Sequence, residues 1–560
     1  MRGQGKKPLD RHRKWDYPLK SMSGKKWIFG LAVILGFFCR PAFPQQKNPT
    51  IRNVTIVREN IFADSTEQAR KFPFRLANKF HLVTRERIIR RELLFGSGDE
   101  FDQSKLDETG RNLRRFEYLS NVKVSPQFSG DSVDVLVSTQ DLWTLSVYLA
   151  ASGGGGKTKY SIGLDDENFL GLGQTVDLSY TRDNLEFLKE EWGLHFWEPG
   201  LLSSRIGLAL SINSRSYGYS HSFSLDKPFY SVSSPWAMGG GMSKSKDREG
   251  FYHSETEVVR NQVKREQFWL FARRATGIAL RHEFGVSYNY VFERFRPVFY
   301  DPFFDSTGLG LTEQEEKLGW ITITYKTGQA RFIQTTNLDR YNRVEDINLG
   351  WSIQAGLGRA STLYGSNVNQ TYLEGSTRFA AELPGRQYIS LQINSSTFAT
   401  RNDFIRADHQ LNLSYYNQGI PRQTLAMSIR AYDYTRHLSY HQFLLGGTGG
   451  LRGFSANSFS GTKAMVINLE DRFFSKWQLL TFGIGAAVFV DAGYAWDLTQ
   501  EINLPKDLRW NYGVGLRLGA TRAFANRVIR LDYAKSAHSK DYFVSFGVGQ
   551  VFEWSQPQIF

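Results

Sequence analysis

From Leu145 to Phe552 the chain repeats one pattern: apolar and polar residues alternate with a period of two. Ile206, Leu208, Leu210 and Ile212 alternate with Gly207, Ala209, Ser211 and Asn213, and Ile389, Leu391 and Ile393 with Ser390, Gln392 and Asn394. Tyr512, Val514, Leu516 and Leu518 alternate with Gly513, Gly515, Arg517 and Gly519. Such a period describes strands with two unlike faces, and the helical period is absent here. In a soluble sandwich the apolar parity would face a core. In a membrane barrel it faces lipid, and the polar parity faces a wet lumen. Arg517, Arg530 and Asp532 sit in mid-strand, where a lumen can hydrate them. A sheet in lipid must also leave no open edge, which requires closure. The expected fold is mainly β: a transmembrane antiparallel β-barrel over 143–552. Strand-like runs number about twenty, and a strand-plus-turn spacing near twenty residues allows 16 to 20, an even number.

Composition agrees with this class. The mean hydropathy of −0.39 argues against a helical membrane protein. Fifty-one glycines and 14% aromatics suit strands of which only alternate residues meet lipid. The net charge of +14 invites a nucleic-acid reading, but its location opposes one. Residues 1–44 hold ten Lys/Arg against two acids, nine of the ten before the apolar run Trp27–Phe38. That is the layout of an export signal, over residues 1–45, and the run is short for a bilayer span. Cys39, the single cysteine, falls within this leader, so the mature chain has no thiol for a disulfide or a metal.

Residues 47–142 read differently, as a small α/β domain. Arg52–Val57 is strand-like. Arg85–Phe95 sets Ile88, Ile89, Glu92 and Leu93 near one helical face, with Gly96 and Gly98 beyond its end. A second helix is expected over Asp102–Tyr118, capped by Asp102. Strands Asn121–Ser125 and Ser132–Ser138 follow, the latter alternating Val133, Val135 and Val137 with polar residues. Sixteen basic and fourteen acidic residues nearly cancel here, as in a solvated domain rather than a nucleic-acid surface.

One segment stands apart. Leu445–Phe454 reads Leu-Gly-Gly-Thr-Gly-Gly-Leu-Arg-Gly-Phe, a glycine loop with one cation and one aromatic, and Phe489–Gly493 is a strand-like run holding a carboxylate. Two readings fit these residues: a flexible surface loop with a solvated arginine, or a loop tucked into the barrel and pinned there. No catalytic signature accompanies them. The ten histidines are scattered without metal-ligand spacing, and neither Gly-x-Ser-x-Gly nor a phosphate loop occurs. No enzyme activity, cofactor or metal is expected. Gly153–Gly156 reads as a turn or a loose barrel seam.

Four stretches together resemble the BamA/TamA superfamily of outer-membrane insertases and transporters, also called the bacterial surface antigen family. Ile88–Phe101 with Arg111–Tyr118 looks like a POTRA domain, the small α/β module of that family. Tyr160–Gly173, with Asp-Glu-Asn-Phe-Leu-Gly-Leu-Gly, resembles its early barrel strand and turn. Leu451-Arg452-Gly453-Phe454 resembles the Val/Ile-Arg-Gly-Phe/Tyr signature of its sixth extracellular loop, and Phe489–Gly493 the Phe-x-Asp-x-Gly strand that receives it. The resemblance implies sixteen strands, fewer than the run count. It also implies Asp491 as the partner of Arg452, with Glu470 a plausible second carboxylate, Gly493 leaving room and Phe454 packing on the wall. Only one POTRA is visible, residues 60–84 are longer than a usual first loop of that domain, and Leu replaces Val/Ile at 451.

The implied function is assembly of β-barrel proteins into the outer membrane. The POTRA, on the periplasmic side, would capture unfolded clients and the seam between first and last strands would template them. Polypeptide secretion and a passive pore are the alternatives. Expected partners are unfolded outer-membrane or secreted polypeptides, accessory periplasmic proteins and outer-membrane lipid, not nucleic acid. Residues 553–560 form a tail after a last strand, Asp541–Phe552, in which Tyr542, Val544, Phe546, Val548 and Phe552 share one face.

Overall fold

Alternation becomes a wall. The computed structural model describes residues 48–554 except 155–156, 184–188, 254–255, 302–311, 402, 436–440, 498–500 and 523–527. The leader with Cys39, most of the tail, and Gly155 and Gly156 lie outside the described residues. Twenty antiparallel strands, from Ser146–Gly154 to Tyr542–Val548, close into one barrel with the last strand beside the first. Twenty is the upper end of the count from the runs. The sixteen implied by resemblance is corrected by four more strands, because each alternating run becomes a wall strand. Val514, Leu516, Leu531, Tyr533 and Val544 point outward and are exposed, while Glu470, Asp491, Arg517 and Asp532 point inward and are buried. No helix among the described residues is long and apolar enough to cross a membrane. In a closed antiparallel barrel every strand finds a partner on both sides, which is what lipid demands.

The N-terminal domain has a three-stranded sheet. Strand β1 (Thr50–Glu59) lies parallel to β3 (Ser132–Asp141), which is antiparallel to β2 (Leu119–Ser129). Between β1 and β2 run four helices: α1 (Glu67–Arg70), α2 (Phe74–Phe80), α3 (Glu86–Glu92) and α4 (Gln103–Arg114). Val133, Val135 and Val137 of β3 meet Ile89, Leu106 and Leu113 of the helices in one core. Asp102 accepts the Ser104 backbone N–H at 2.9 Å, the cap expected of it. The helices are shorter than their apolar patterns: α3 stops at Glu92 and α4 at Arg114, and the flanking apolar residues Phe95, Phe116 and Tyr118 pack on the core from non-helical backbone. The long stretch 60–84 holds α1 and α2, which the sequence did not signal.

The domain sits on the turns at one end of the barrel, here the near end. Arg85 N–H donates to the Gly171 carbonyl at 2.9 Å, and Asn168 Nδ2 to Thr84 Oγ1 at 2.8 Å. Asn112 of α4 donates to the Tyr230 carbonyl, and Glu108 accepts the Val232 N–H at 2.7 Å. The motif turn near Asn168 is therefore a docking point for the domain as well as a strand connection.

The near mouth holds a second element with no sequence warning. Residues 330–350, between the barrel strands Gln314–Gln329 and Trp351–Ala360, fold inward as a hairpin of Phe332–Thr336 paired with Val344–Asn348. Its tip crosses the lumen to strands five to seven places further round the wall from Trp351–Ala360. There the Tyr341 hydroxyl donates to the carbonyls of Ser475 at 2.6 Å and Ile484 at 2.8 Å. The Tyr341 ring lies against Gly483 and Gly519, where any Cβ would collide with it.

Residues 549–554 enter the same mouth, correcting the expected last strand. Pairing stops at Val548, and Gly549 turns the backbone with φ +85°. Phe552 and Trp554 then pack with Tyr416, Tyr388, Leu338 and Ile347 on the lumen side. Phe552 is thus withdrawn from the lipid-facing row, because the carbonyl it presents takes the Arg472 guanidinium at 2.7 Å.

Candidate functional site

The glycine loop folds back into the barrel. Phe443–Leu445 pairs with Phe459–Gly461 at its base, and the Gln442 side chain makes two 2.8 Å hydrogen bonds with the Tyr252 backbone. Gly450 has φ +102°, a conformation costly for other residues. Leu451 is buried among Val466, Ala464 and Ala495 of the wall. Phe454 joins that cluster, although its nearest ring is Phe459 of the loop itself, edge-on at 5.2 Å.

Arg452 reaches the wall and is 2% exposed. Its Nε and Nη2 donate to the two Asp491 oxygens at 2.9 and 2.8 Å, a bidentate pair. Nη1 donates to Glu470 at 2.8 Å and lies 3.5 Å from Asp532. The guanidinium also stacks on Phe489, 3.3 Å from the ring centre. The strands bring this about through register. Asp491 is opposite Asn468 on one neighbour and Asn511 on the other. Both amides donate to it, at 2.7 and 2.9 Å, and Asn468 also holds the Gly450 carbonyl at 2.8 Å.

The sequence pointed to Asp491 and Glu470. It placed Arg517, Arg530 and Asp532 in the lumen but not at this site, and gave no sign of Arg472. Arg517 bridges Asp532 at 2.6 Å and Glu470 at 3.1 Å. Arg530 pairs with Asp532 at 2.9 Å, and Arg472 joins Glu470 to Asp339 of the hairpin segment at 3.2 and 2.8 Å. Four arginines thus face four carboxylates, so the buried charges balance. For the six on wall strands, shared inward parity was the available signal.

Gly453 and Gly493 make the fit possible. A Cβ on Gly453 would collide with Asn511, and one on Gly493 would meet the Met465 carbonyl at 2.7 Å and Leu451 Cδ2 at 3.2 Å. Gly453→Ala is expected to displace the loop by about the reach of one methyl group, with overpacking costing roughly 1–3 kcal/mol. Limited proteolysis at 446–454 checks it: faster cleavage than wild type is the expected result, and an unchanged rate would show that the loop tolerates the methyl.

A chain of polar contacts continues from this cluster to the N-terminal domain. Asp339 accepts Arg472, the Tyr416 hydroxyl at 3.2 Å and the Trp554 N–H at 2.7 Å. The hairpin's Asp346 takes a bidentate pair from Arg114 of α4, at 2.6 and 2.8 Å. Arg343 donates to the carbonyls of Arg114, Phe116 and Leu119, so it caps the end of α4 with a cation. Arg340 pairs with Glu117 at 2.8 Å.

A stretch of 106 residues is 30% identical to a putative outer membrane protein assembly factor of Treponema pallidum, covering 18% of this chain and 13% of that protein. Among solved structures, BamA from Haemophilus ducreyi lacking POTRA domains 1–3 is 14% identical with a TM-score of 0.42. That alignment covers 89% of this chain and 85% of the other. CdiB from Acinetobacter baumannii is 12% identical with a TM-score of 0.42, covering 90% and 74%. The Omp85 superfamily domain matches residues 168–552, well over half of the chain, and the protein therefore belongs to the Omp85 superfamily of outer-membrane β-barrels.

Proposed function

We propose that this protein assists the assembly of β-barrel proteins in the outer membrane. Its N-terminal domain, read as a single POTRA in the periplasm, receives unfolded polypeptide, and the junction of first and last strands serves as the template. The Treponema relative, described as a putative assembly factor, is consistent with that reading. No catalytic role is proposed. The Arg452 loop is read as an internal latch, with Leu451, Gly453 and Phe454 seating it and Asp491, Gly493 and Glu470 receiving it.

The observation that favours assembly over secretion is the crossing of the lumen by the Tyr341 hairpin. A polypeptide passing through the lumen would have to displace the hairpin, residues 549–554 and the domain behind them. Strand templating at the wall needs none of these to leave, because a free strand edge offers backbone hydrogen bonds directly. The last strand has seven residues, a short edge to separate from its neighbour.

A cross-link distinguishes the routes. The Tyr341 hydroxyl reaches the Ser475 carbonyl, so Tyr341→Cys with Ser475→Cys, bridged by a short reducible bis-thiosulfonate, locks the hairpin to the wall. Reconstituted in liposomes, the locked protein is expected to fold an unfolded β-barrel client within about twofold of the reduced form, since no locked contact faces the seam. Loss of folding activity on bridging, regained with reductant, would favour passage through the lumen.

A further inference from the structure

The stretch 60–84 carries an exposed face that the assembly reading does not use. Helix α2 turns Phe74 and Ala77 inward, onto a cluster of Ile61, Phe62, Ala69 and Trp143. Its other side bears Leu76 and Phe80, one turn apart and 44% and 69% exposed, with Phe72 (78%) before the helix and Leu82 (56%) after it. Arg75 and Lys79, also one turn apart, form a basic stripe beside the apolar one, and Arg70 and Lys71 precede it. A soluble domain gains nothing by presenting four large apolar side chains to water in one short segment.

The position of α2 says what covers them. Trp143 is three residues before the first barrel strand, Ser146–Gly154, whose Val147 is an exposed outward residue. The Trp143 N–H donates to the Arg522 carbonyl at 2.9 Å, at the turn between two other wall strands. A cavity beside α2 is lined by Phe62 and Phe74 together with Leu480, Thr481 and Arg522 of the near-end turns. Around these turns Trp477, Leu479 and Leu480 are exposed. The helix therefore stands at the height of the near rim, beside the turn that bears these exposed apolar residues. Apolar residues flanked by a row of Lys and Arg fit the boundary between acyl chains and anionic headgroups, with the long basic side chains reaching the phosphates.

We infer that α2 and its flanks, Phe72–Leu82, form an interfacial foot that inserts into the adjoining phospholipid leaflet. The aromatics enter the acyl boundary, and Arg75 and Lys79 bind anionic headgroups. This rests on the barrel's placement in the membrane, not on assembly activity. Its test reads lipid contact alone, so it can fail while the functional reading stands.

The full chain with Cys39→Ser is given one cysteine, at Phe72, Phe80 or Asp131, labelled with an environment-sensitive fluorophore and reconstituted in phosphatidylcholine vesicles with or without phosphatidylglycerol. Asp131 is the control, since the β2–β3 turn lies a full ten-residue strand, about 30 Å, from the rim. Labels at 72 and 80 are expected to lose more than about half their emission to shallow spin-labelled lipid and to resist aqueous iodide, with the control reversed. Arg75→Glu with Lys79→Glu is expected to halve the lipid quenching, roughly, in vesicles with phosphatidylglycerol and leave it unchanged without. Iodide access at 72 and 80 equal to that at 131, with no lipid quenching, would overturn the inference. Protection appearing only when an unfolded polypeptide is added would overturn it too, reassigning the face to clients.

Discussion

Arg452→Ala is expected to remove about 3–5 kcal/mol from the seated loop, the usual cost of stripping one partner from a buried ion pair. Asp491, Glu470 and Asp532 would then share the remaining arginines, and the bidentate contact with Asp491 would be lost. Arg452→Lys keeps the charge but loses the fork and the stacking on Phe489, so an intermediate loss is expected. Asp491→Asn should resemble Arg452→Ala. The pair Arg452→Gln with Asp491→Asn should recover part of the loss, because two neutral amides can satisfy each other where a lone charge cannot. Unfolding midpoints from heat-modified gel migration, with protease sensitivity of 446–454, measure the series. If Arg452→Ala and Asp491→Asn both leave midpoint and protease resistance unchanged, the latch reading is wrong.

Removing the lumen hairpin is the second large change. Replacing 332–348 by a two-residue turn deletes Tyr341, Arg343 and Asp346, and with them the contacts that cross the mouth. Barrels of 16–18 strands without a plug hold an aqueous channel, and this wall has twenty. Single-channel conductance in planar bilayers is expected to rise about tenfold or more over wild type. The barrel itself should still fold, since its strand pairing does not involve the hairpin. Equal conductance for the two proteins would show that the domain or the far loop closes the lumen without it.

The wall was legible because lipid and lumen impose opposite demands on alternate residues, which writes a period of two into the chain. The N-terminal domain was legible through the Val133–Val137 alternation and the Ile88/Ile89 face. The hairpin was not, since Phe332–Thr336 and Val344–Asn348 look like two more short strands, and nothing local says they leave the wall. Phe552 misled for a related reason. It keeps the parity of Tyr542–Val548, and only the left-handed turn at Gly549 with the arginine waiting at 472 takes it inside. At the site, Asp491 and Glu470 were readable from strand and motif. Asp532 and Arg517 were visible only as mid-strand charges, because which inward residues meet depends on register between strands tens of residues apart.

The hairpin contacts both the N-terminal domain and, through Asp339 and Arg472, Glu470, one of the carboxylates that hold Arg452. Two ends of the molecule so joined obey reciprocity. If polypeptide bound at the domain loosens the loop by some factor, a loop already loosened must change the domain's affinity for that polypeptide by the same factor. Whatever grips the loop would then alter what the domain binds.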